Sequence, residues 1–213
     1  MIMILLGAPG AGKGTQSEIL AERLRLVHVS SGDLLRDHYK RGTELGKVAE
    51  QYMVRGELVP DDLVIEMIME RMDAPDVEHG ILLDGFPRTV PQAEALDAAV
   101  VVKNKKIGAA VNIKVDNEVL LDRLSGRLTC KRCGHVYHEK FAPPKVPGVC
   151  DVCGGELYQR DDDKRGTAVT RLTVYFDRTL PIIQYYREHK LLCEVNGEQP
   201  VEKVTEDILG CLK

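Results

Sequence analysis

The sequence predicts an α/β fold, a five-stranded parallel sheet flanked by helices, and three observations carry that prediction. An apolar run, Met1 to Leu6, leads directly into Gly7-Ala8-Pro9-Gly10-Ala11-Gly12-Lys13-Gly14-Thr15. Further short apolar runs alternate with helical periodicity, the pattern of strands joined by crossover helices. From Leu128 to about Gln159 that pattern stops and Gly, Pro, Cys and aromatic residues take over, which marks an inserted module.

Met1 to Leu6 reads as a buried central strand closed by glycine. In the loop that follows, Gly7, Gly10, Gly12 and Gly14 let the backbone turn tightly and aim successive N–H groups at one anion. Lys13 adds a mobile positive charge and Thr15 a hydroxyl suited to Mg²⁺. The helix after it, expected to run to about Leu26, turns its positive N-terminal end toward the same phosphates. Gly14 stands where Ser or Thr usually follows such a lysine, and Thr15 comes one place later. A simple Gly-rich turn leaves the offset of Lys13 unexplained. The stretch reads as a phosphate loop, or P-loop.

Val27 to Val29 is a second strand, in which His28 carries no expected catalytic role. Ser30 to Arg36 opens a helix with a serine as cap. A second helix carries Leu45, Val48, Ala49 and Tyr52, and a third starts at Pro60 with Val64, Met67 and Ile68 inward. Three helices exceed what one parallel crossover needs, so residues 30–59 form a small subdomain. Ile81 to Leu83 is a strand ending in Asp84-Gly85-Phe86-Pro87-Arg88. Asp84, at a strand's carboxyl end, is placed to order the waters of Mg²⁺, and Arg88 offers a two-pronged donor to phosphate. Thr89-Val90-Pro91-Gln92 has the form of a capping box, so Gln92 reads equally as a structural residue. Val111 to Val115 is a strand, followed by a helix carrying Arg123, with Arg127 just beyond Gly126. One helix from about Gly166 to Glu188 with a kink at Pro181, a strand at Leu191 to Val195 and a helix from Pro200 complete the chain.

The inserted module holds Cys130-Lys131-Arg132-Cys133 and Cys150-Asp151-Val152-Cys153, separated by sixteen residues. Two C-x-x-C knuckles at this spacing fit a Cys₄ zinc site, closed and therefore structural. Two disulfides or a redox pair are the rival readings. Cys193 and Cys211 lie on apolar faces and read as plain core residues.

The chain of 213 residues is 44% hydrophobic and 29% charged, with net charge −4, an ordinary globular balance. That charge argues against general affinity for nucleic acid or acidic membranes, so any anion site is local. Met1 to Leu6 is too short for a signal peptide or a membrane span, which favours the cytoplasm.

Taken together, Gly7 to Thr15, Ser31 to Arg36, Asp84 to Arg88, and Arg160-Asp161-Asp162-Asp163 with Arg171 resemble the signature set of the adenylate kinase family. The cysteine module resembles the lid of its long, zinc-containing bacterial form. The resemblance covers essentially the whole chain. It implies a P-loop fold with a core at 1–29, 60–126 and 164–213, a helical AMP-binding subdomain at 30–59, and a small zinc-ribbon-like β lid at 127–163. It implies transfer of phosphate from Mg·ATP to AMP to give two ADP, with Mg²⁺ and a structural Zn²⁺ as metals, by a cytoplasmic monomer that needs neither nucleic acid nor membrane.

Residue by residue, the resemblance assigns Gly10, Ala11, Gly12, Lys13, Gly14 and Thr15 to the ATP phosphates, with Arg123, Arg127, Val136, Tyr137 and the backbone of Gln199 also on ATP. It assigns Ser31, Arg36, Glu57, Leu58, Val59, Gly85, Phe86, Pro87, Arg88 and Gln92 to AMP, with Glu57 acting through its backbone. Arg160 and Arg171 are assigned to AMP as well and close over the phosphates, and the zinc ligands are Cys130, Cys133, Cys150 and Cys153. Catalysis is expected to rest on Lys13, Asp84, Arg88, Arg123, Arg160 and Arg171. A kinase for UMP, CMP or GMP is the nearest alternative. A zinc-ribbon nucleic-acid binder is disfavoured by the negative net charge, and a P-loop switch by the lack of guanine-reading motifs.

Overall fold

The structure, a computed structural model, describes residues 1–212. Strands β1 (Ile2–Leu6), β2 (Val27–Ser30), β3 (Ile81–Asp84), β4 (Ile107–Lys114) and β8 (Leu192–Asn196) form one sheet in the order β2-β3-β1-β4-β8, parallel throughout. The five expected strands are therefore present. All five residues of β1 are buried. Ile2, Ile4 and Leu6 point into one apolar layer with Leu83, Phe86 and Tyr186, while Met3 and Leu5 point into the other with Leu20, Val111 and Ile208. Strand periodicity thus splits one apolar run between two cores, which is why it shows no alternation with polar residues.

Helices α1 (Lys13–Leu24), α2 (Ser31–Lys40), α3 (Glu44–Met53), α4 (Asp61–Met72), α5 (Val90–Val102), α6 (Asn117–Ser125), α7 (Arg165–Val174), α8 (Pro181–Glu188) and α9 (Val201–Gly210) surround the sheet. Helix α1 stops two residues short of the expectation because Arg25 turns into the left-handed region. Ser30 caps α2 by accepting from the Asp33 N–H at 3.2 Å, and Thr43 caps α3 by accepting from Gly46. The two pack as a tight pair, since a Cβ on Gly46 would lie 2.3 Å from the His38 carbonyl. The single long helix expected from Gly166 is instead α7 and α8 joined by one π turn, Tyr175–Thr179. Pro181 supplies no N–H, and the Leu180 N–H reaches back five residues to Tyr175 O.

The inserted module folds as a three-stranded antiparallel sheet of β5 (Arg127–Cys130), β6 (Val136–His138) and β7 (Leu157–Tyr158), in the order β6-β5-β7. Its apolar centre is small: Cys130, Tyr137, Cys150 and Leu157 are buried together. The reading of Cys193 and Cys211 as plain core residues is corrected by the structure, where they form a disulfide between β8 and the end of α9, with Cα atoms 6.0 Å apart. Periodicity marks both faces as apolar but does not reveal that those faces meet. Among the described residues, no helix is long and apolar enough to cross a membrane.

Candidate active site

Because the main strands are parallel, the loops at their carboxyl ends gather along one edge of the sheet. Strand β1 leads on to β2 on one side of the sheet and its neighbour β4 leads on to β8 on the other, so the loops leaving these two strands diverge and open a crevice. The cleft there has a volume of about 630 Å³. The P-loop forms its floor. Gly10 has φ of 88°, and a Cβ there would stand 2.8 Å from Leu120 O, so neither the backbone conformation nor the space admits a side chain. Among the described residues no side chain caps the first turn of α1, which leaves its amides available to an anion. The Lys13 ammonium arches over the loop and donates to Gly7 O at 2.8 Å and Ala8 O at 3.1 Å.

Among the described residues, seven lysine and arginine side chains line the cleft: Lys13, Arg36, Arg88, Arg123, Arg127, Arg160 and Arg171. Burial, reinforced by Arg88, Arg171 and Arg127, pushes Lys13 down to about 8. Burial and the neighbouring Arg171 push Arg88 down to about 10, and burial with Arg36 and Arg127 does the same to Arg160. The Arg160 Nε is buried and has no hydrogen-bond partner among the described residues. Such concentrated charge calls for a multiply charged anion.

Four carboxylates keep this cluster in place. Asp163 is fully buried and takes Arg127 on both oxygens, while Arg171 Nη1 donates to its Oδ1 at 2.7 Å. Arg171 also pairs with Asp162 at 3.0 Å. Asp33 accepts from Arg36 at 2.6 Å and stands 3.9 Å from Arg160, so it links α2 to the base of the inserted module. Burial pushes the Asp33 carboxyl up, but the charge and hydrogen bonds of Arg36 outweigh it and hold the group at about 2. Asp84 closes β3 and faces the cleft, with His28 Nε2 3.7 Å from its Oδ2. Burial raises its carboxyl too, and is outweighed by the nearby His28 ring and the charges of Lys13 and Arg88, which hold it below the usual carboxylate range.

At the other end of the cleft, Gly85 O accepts from Ser31 Oγ at 2.6 Å and from Arg88 Nε at 2.8 Å. The Gln92 N–H donates to Thr89 Oγ1 at 3.3 Å, so half of the expected capping box forms. The Gln92 side chain does something else. Its Oε1 accepts from the Arg88 N–H at 2.8 Å and its Nε2 donates to Asp61 Oδ1 at 2.7 Å.

The same cleft is lined by Gly10 to Thr15, Ser31, Glu57 to Val59, Gly85, Val136, Tyr137 and Gln199. Arg123 donates to Gly197 O at 3.1 Å, which ties α6 to the loop after β8. The Glu57 carboxylate is paired with Arg55 at 2.8 Å, consistent with backbone contact alone from that residue. Phe86 points into the core and is fully buried, and Pro87 lines a small neighbouring cavity rather than the cleft. Sequence reasoning gave no role to His28, Asp33, Asp162 or Asp163. His28 had a signal, since it lies two residues before Ser30 and so on the same strand face. Asp33, Asp162 and Asp163 lie within the stretches that carry the family resemblance, but a carboxylate beside a phosphate site reads as repulsive until its arginine partners are seen.

The depressed Lys13 gives a testable proton linkage. An anion that pairs with Lys13 restores its affinity for a proton, so tripolyphosphate binding at about pH 9 takes up protons. Well below the Lys13 value of about 8 the group is already charged, and uptake vanishes. Calorimetry in buffers of different ionisation enthalpy reads the difference. Uptake at the higher pH that disappears in Lys13→Met is the expected outcome, and uptake unchanged in that variant contradicts the assignment.

A family model described as adenylate kinase matches residues 5–191. A protein named adenylate kinase from Methanocella arvoryzae is 50% identical over 213 residues, all of this chain and 99% of its own length. Another of that name, from Desulforudis audaxviator, is 51% identical over 212 residues, covering all of this chain and 99% of its own. One from Archaeoglobus fulgidus is 50% identical over 213 residues, with 98% of its length covered. Fold, cleft and relatives agree, and the chain belongs to the adenylate kinase family.

Proposed function

We infer that this chain catalyses reversible transfer of the γ-phosphoryl group of Mg·ATP to AMP, giving two ADP, and so balances the adenine nucleotides. The observation that carries this is the convergence of seven cations on one cleft, beside an uncapped helix start, in a chain of net charge −4. Phosphoryl transfer requires in-line alignment and neutralisation of charge on the moving group rather than covalent participation. An oxygen of the AMP phosphate attacks the γ-phosphorus while the bond to the β-γ bridging oxygen breaks. That oxygen is already ionised near neutral pH, so no general base is needed.

In this reading Gly10 to Thr15 cradle the ATP phosphates and Lys13 follows the transferring group. Arg123 and Arg127 meet ATP at the base of the lid, with Val136, Tyr137 and the Gln199 backbone completing its site. Ser31, Arg36, Glu57 to Val59, Gly85 to Arg88 and Gln92 form the AMP site, of which Phe86 and Pro87 support the backbone from behind. Arg160 and Arg171 span both nucleotides. The lid at 127–163 and the subdomain at 30–59 close over them and exclude water, which would otherwise take the γ-phosphate. An ionised Asp84 and the Thr15 hydroxyl are hard oxygen donors of the kind Mg²⁺ takes, and the ion would neutralise charge between the β and γ phosphates.

The test is ADP formation from Mg·ATP with AMP, GMP, UMP and CMP in parallel. Rapid turnover with AMP alone, lost by about a thousandfold or more in a folded Lys13→Met variant, is the expected result. Equal turnover with another monophosphate overturns the substrate assignment, and near-normal turnover in Lys13→Met overturns the mechanism.

Zinc in the lid rests on the cysteine geometry. The four Sγ atoms lie within 4.8 Å of one another, with Cys130 and Cys153 at 3.5 Å and Cys133 and Cys150 at 3.6 Å. Zn–S bonds of about 2.3 Å imply sulfurs roughly 3.8 Å apart. Gly155 allows that approach, since a Cβ there would lie 2.9 Å from Cys130 Sγ. The lid's apolar centre is too small to hold it unaided. Chelation is expected to open residues 127–163 to protease while the remaining chain still melts cooperatively; unchanged lid cleavage after metal loss contradicts a zinc-held lid.

A further inference from the structure

We propose that Asp61 is the positioning residue that sets base selectivity, by fixing which way the Gln92 amide faces. The proposal rests on the reading of Gln92 as the group that meets the AMP base. Asp61 is the first residue of α4, and among the described residues it does not line the cleft, whereas Gln92 does. It therefore acts through Gln92.

The two partners of the Gln92 amide are each of one sign. A backbone N–H can only donate, so the end facing Arg88 must be the carbonyl oxygen, as the 2.8 Å contact has it. An ionised carboxylate can only accept, so the end facing Asp61 must be the NH₂, at 2.7 Å. Gln92 is 2% exposed, which leaves water little part in the choice. Turning the amide over would set NH₂ against N–H and oxygen against carboxylate, two repulsive pairs in a buried place.

Each end of the amide keeps one unused valence: a lone pair on Oε1 and an N–H on Nε2. Adenine offers the complement on its Watson–Crick edge, an exocyclic amine that donates and a ring N1 that accepts. A 6-oxopurine offers the reverse, an oxygen that accepts and an N1–H that donates. With the amide locked by Asp61, a 6-aminopurine completes both bonds and a 6-oxopurine meets like against like. Arg88 alone leaves one constraint, and the amide can then adapt to either base.

Inosine monophosphate is the appropriate probe, because its base differs from that of AMP only at that edge. Asp61→Asn preserves size and helix position but can face Gln92 with a donor or an acceptor. The ratio of kcat/KM for AMP over inosine monophosphate is expected to fall by at least about tenfold in Asp61→Asn and in Asp61→Ala. The change should appear mainly in the KM of the two monophosphates, with the KM for ATP held. A role confined to the start of α4 lowers the melting temperature without moving that ratio. An unchanged ratio in both Asp61 variants, with the ratio collapsed in Gln92→Ala, overturns the proposal and leaves the AMP site standing. An unchanged ratio in Gln92→Ala as well overturns the base-reading role of Gln92, and the proposal with it.

Discussion

Everything in the cleft depends on how Asp163 holds two arginines. The cationic side chains in this crevice repel one another, and the sheet itself offers them only Asp84, at the end of β3, in compensation. Asp163 has no exposed surface and binds Arg127 and Arg171 at once, with Asp162 adding a second contact to Arg171. Removing one partner of a buried ion pair costs about 3–5 kcal/mol, far more than a surface pair contributes. The compensation is incomplete by design of the site. Lys13, Arg88 and Arg160 remain below their ordinary values, and that residual charge is what a chain of phosphates can neutralise.

The same network joins segments that are distant in sequence. Asp33 on α2 reaches both Arg36 and Arg160, the subdomain on one side and the base of the lid on the other. Arg123 reaches the Gly197 carbonyl beyond β8. The contacts of Asp33 with Arg160 and of Arg123 with Gly197 run between segments that the parallel sheet delivers to a common edge. A charge lattice therefore ties these segments together around the cleft that their side chains line. Preorganisation of this kind spares reorganisation at the moment of transfer.

Much of this was legible in the sequence. The five strands, the P-loop and the cysteine knuckles follow from local pattern, since each is specified by residues within one turn or one strand. What escaped was non-local. The disulfide of Cys193 and Cys211 depends on β8 and α9 meeting, and the π turn at Tyr175–Thr179 on how Pro181 is accommodated inside a helix. Gln92 was ambiguous between helix cap and base reader. The structure gives its backbone the first task and its side chain a set of bonds to Arg88 and Asp61 that no i-to-i+3 rule contains. His28 beside Asp84 and the acidic clamp on the arginines likewise emerge only when neighbouring strands and loops are placed side by side.

The most direct test of this account is the steady-state kinetics and melting of Asp163→Asn, which keeps the shape of the side chain and removes its charge. A lower melting temperature and a fall in kcat of about a hundredfold are expected, because Arg127 and Arg171 lose the anchor that aligns them. Wild-type melting together with wild-type turnover would contradict this, and would mean that the arginines hold their positions without the buried carboxylate.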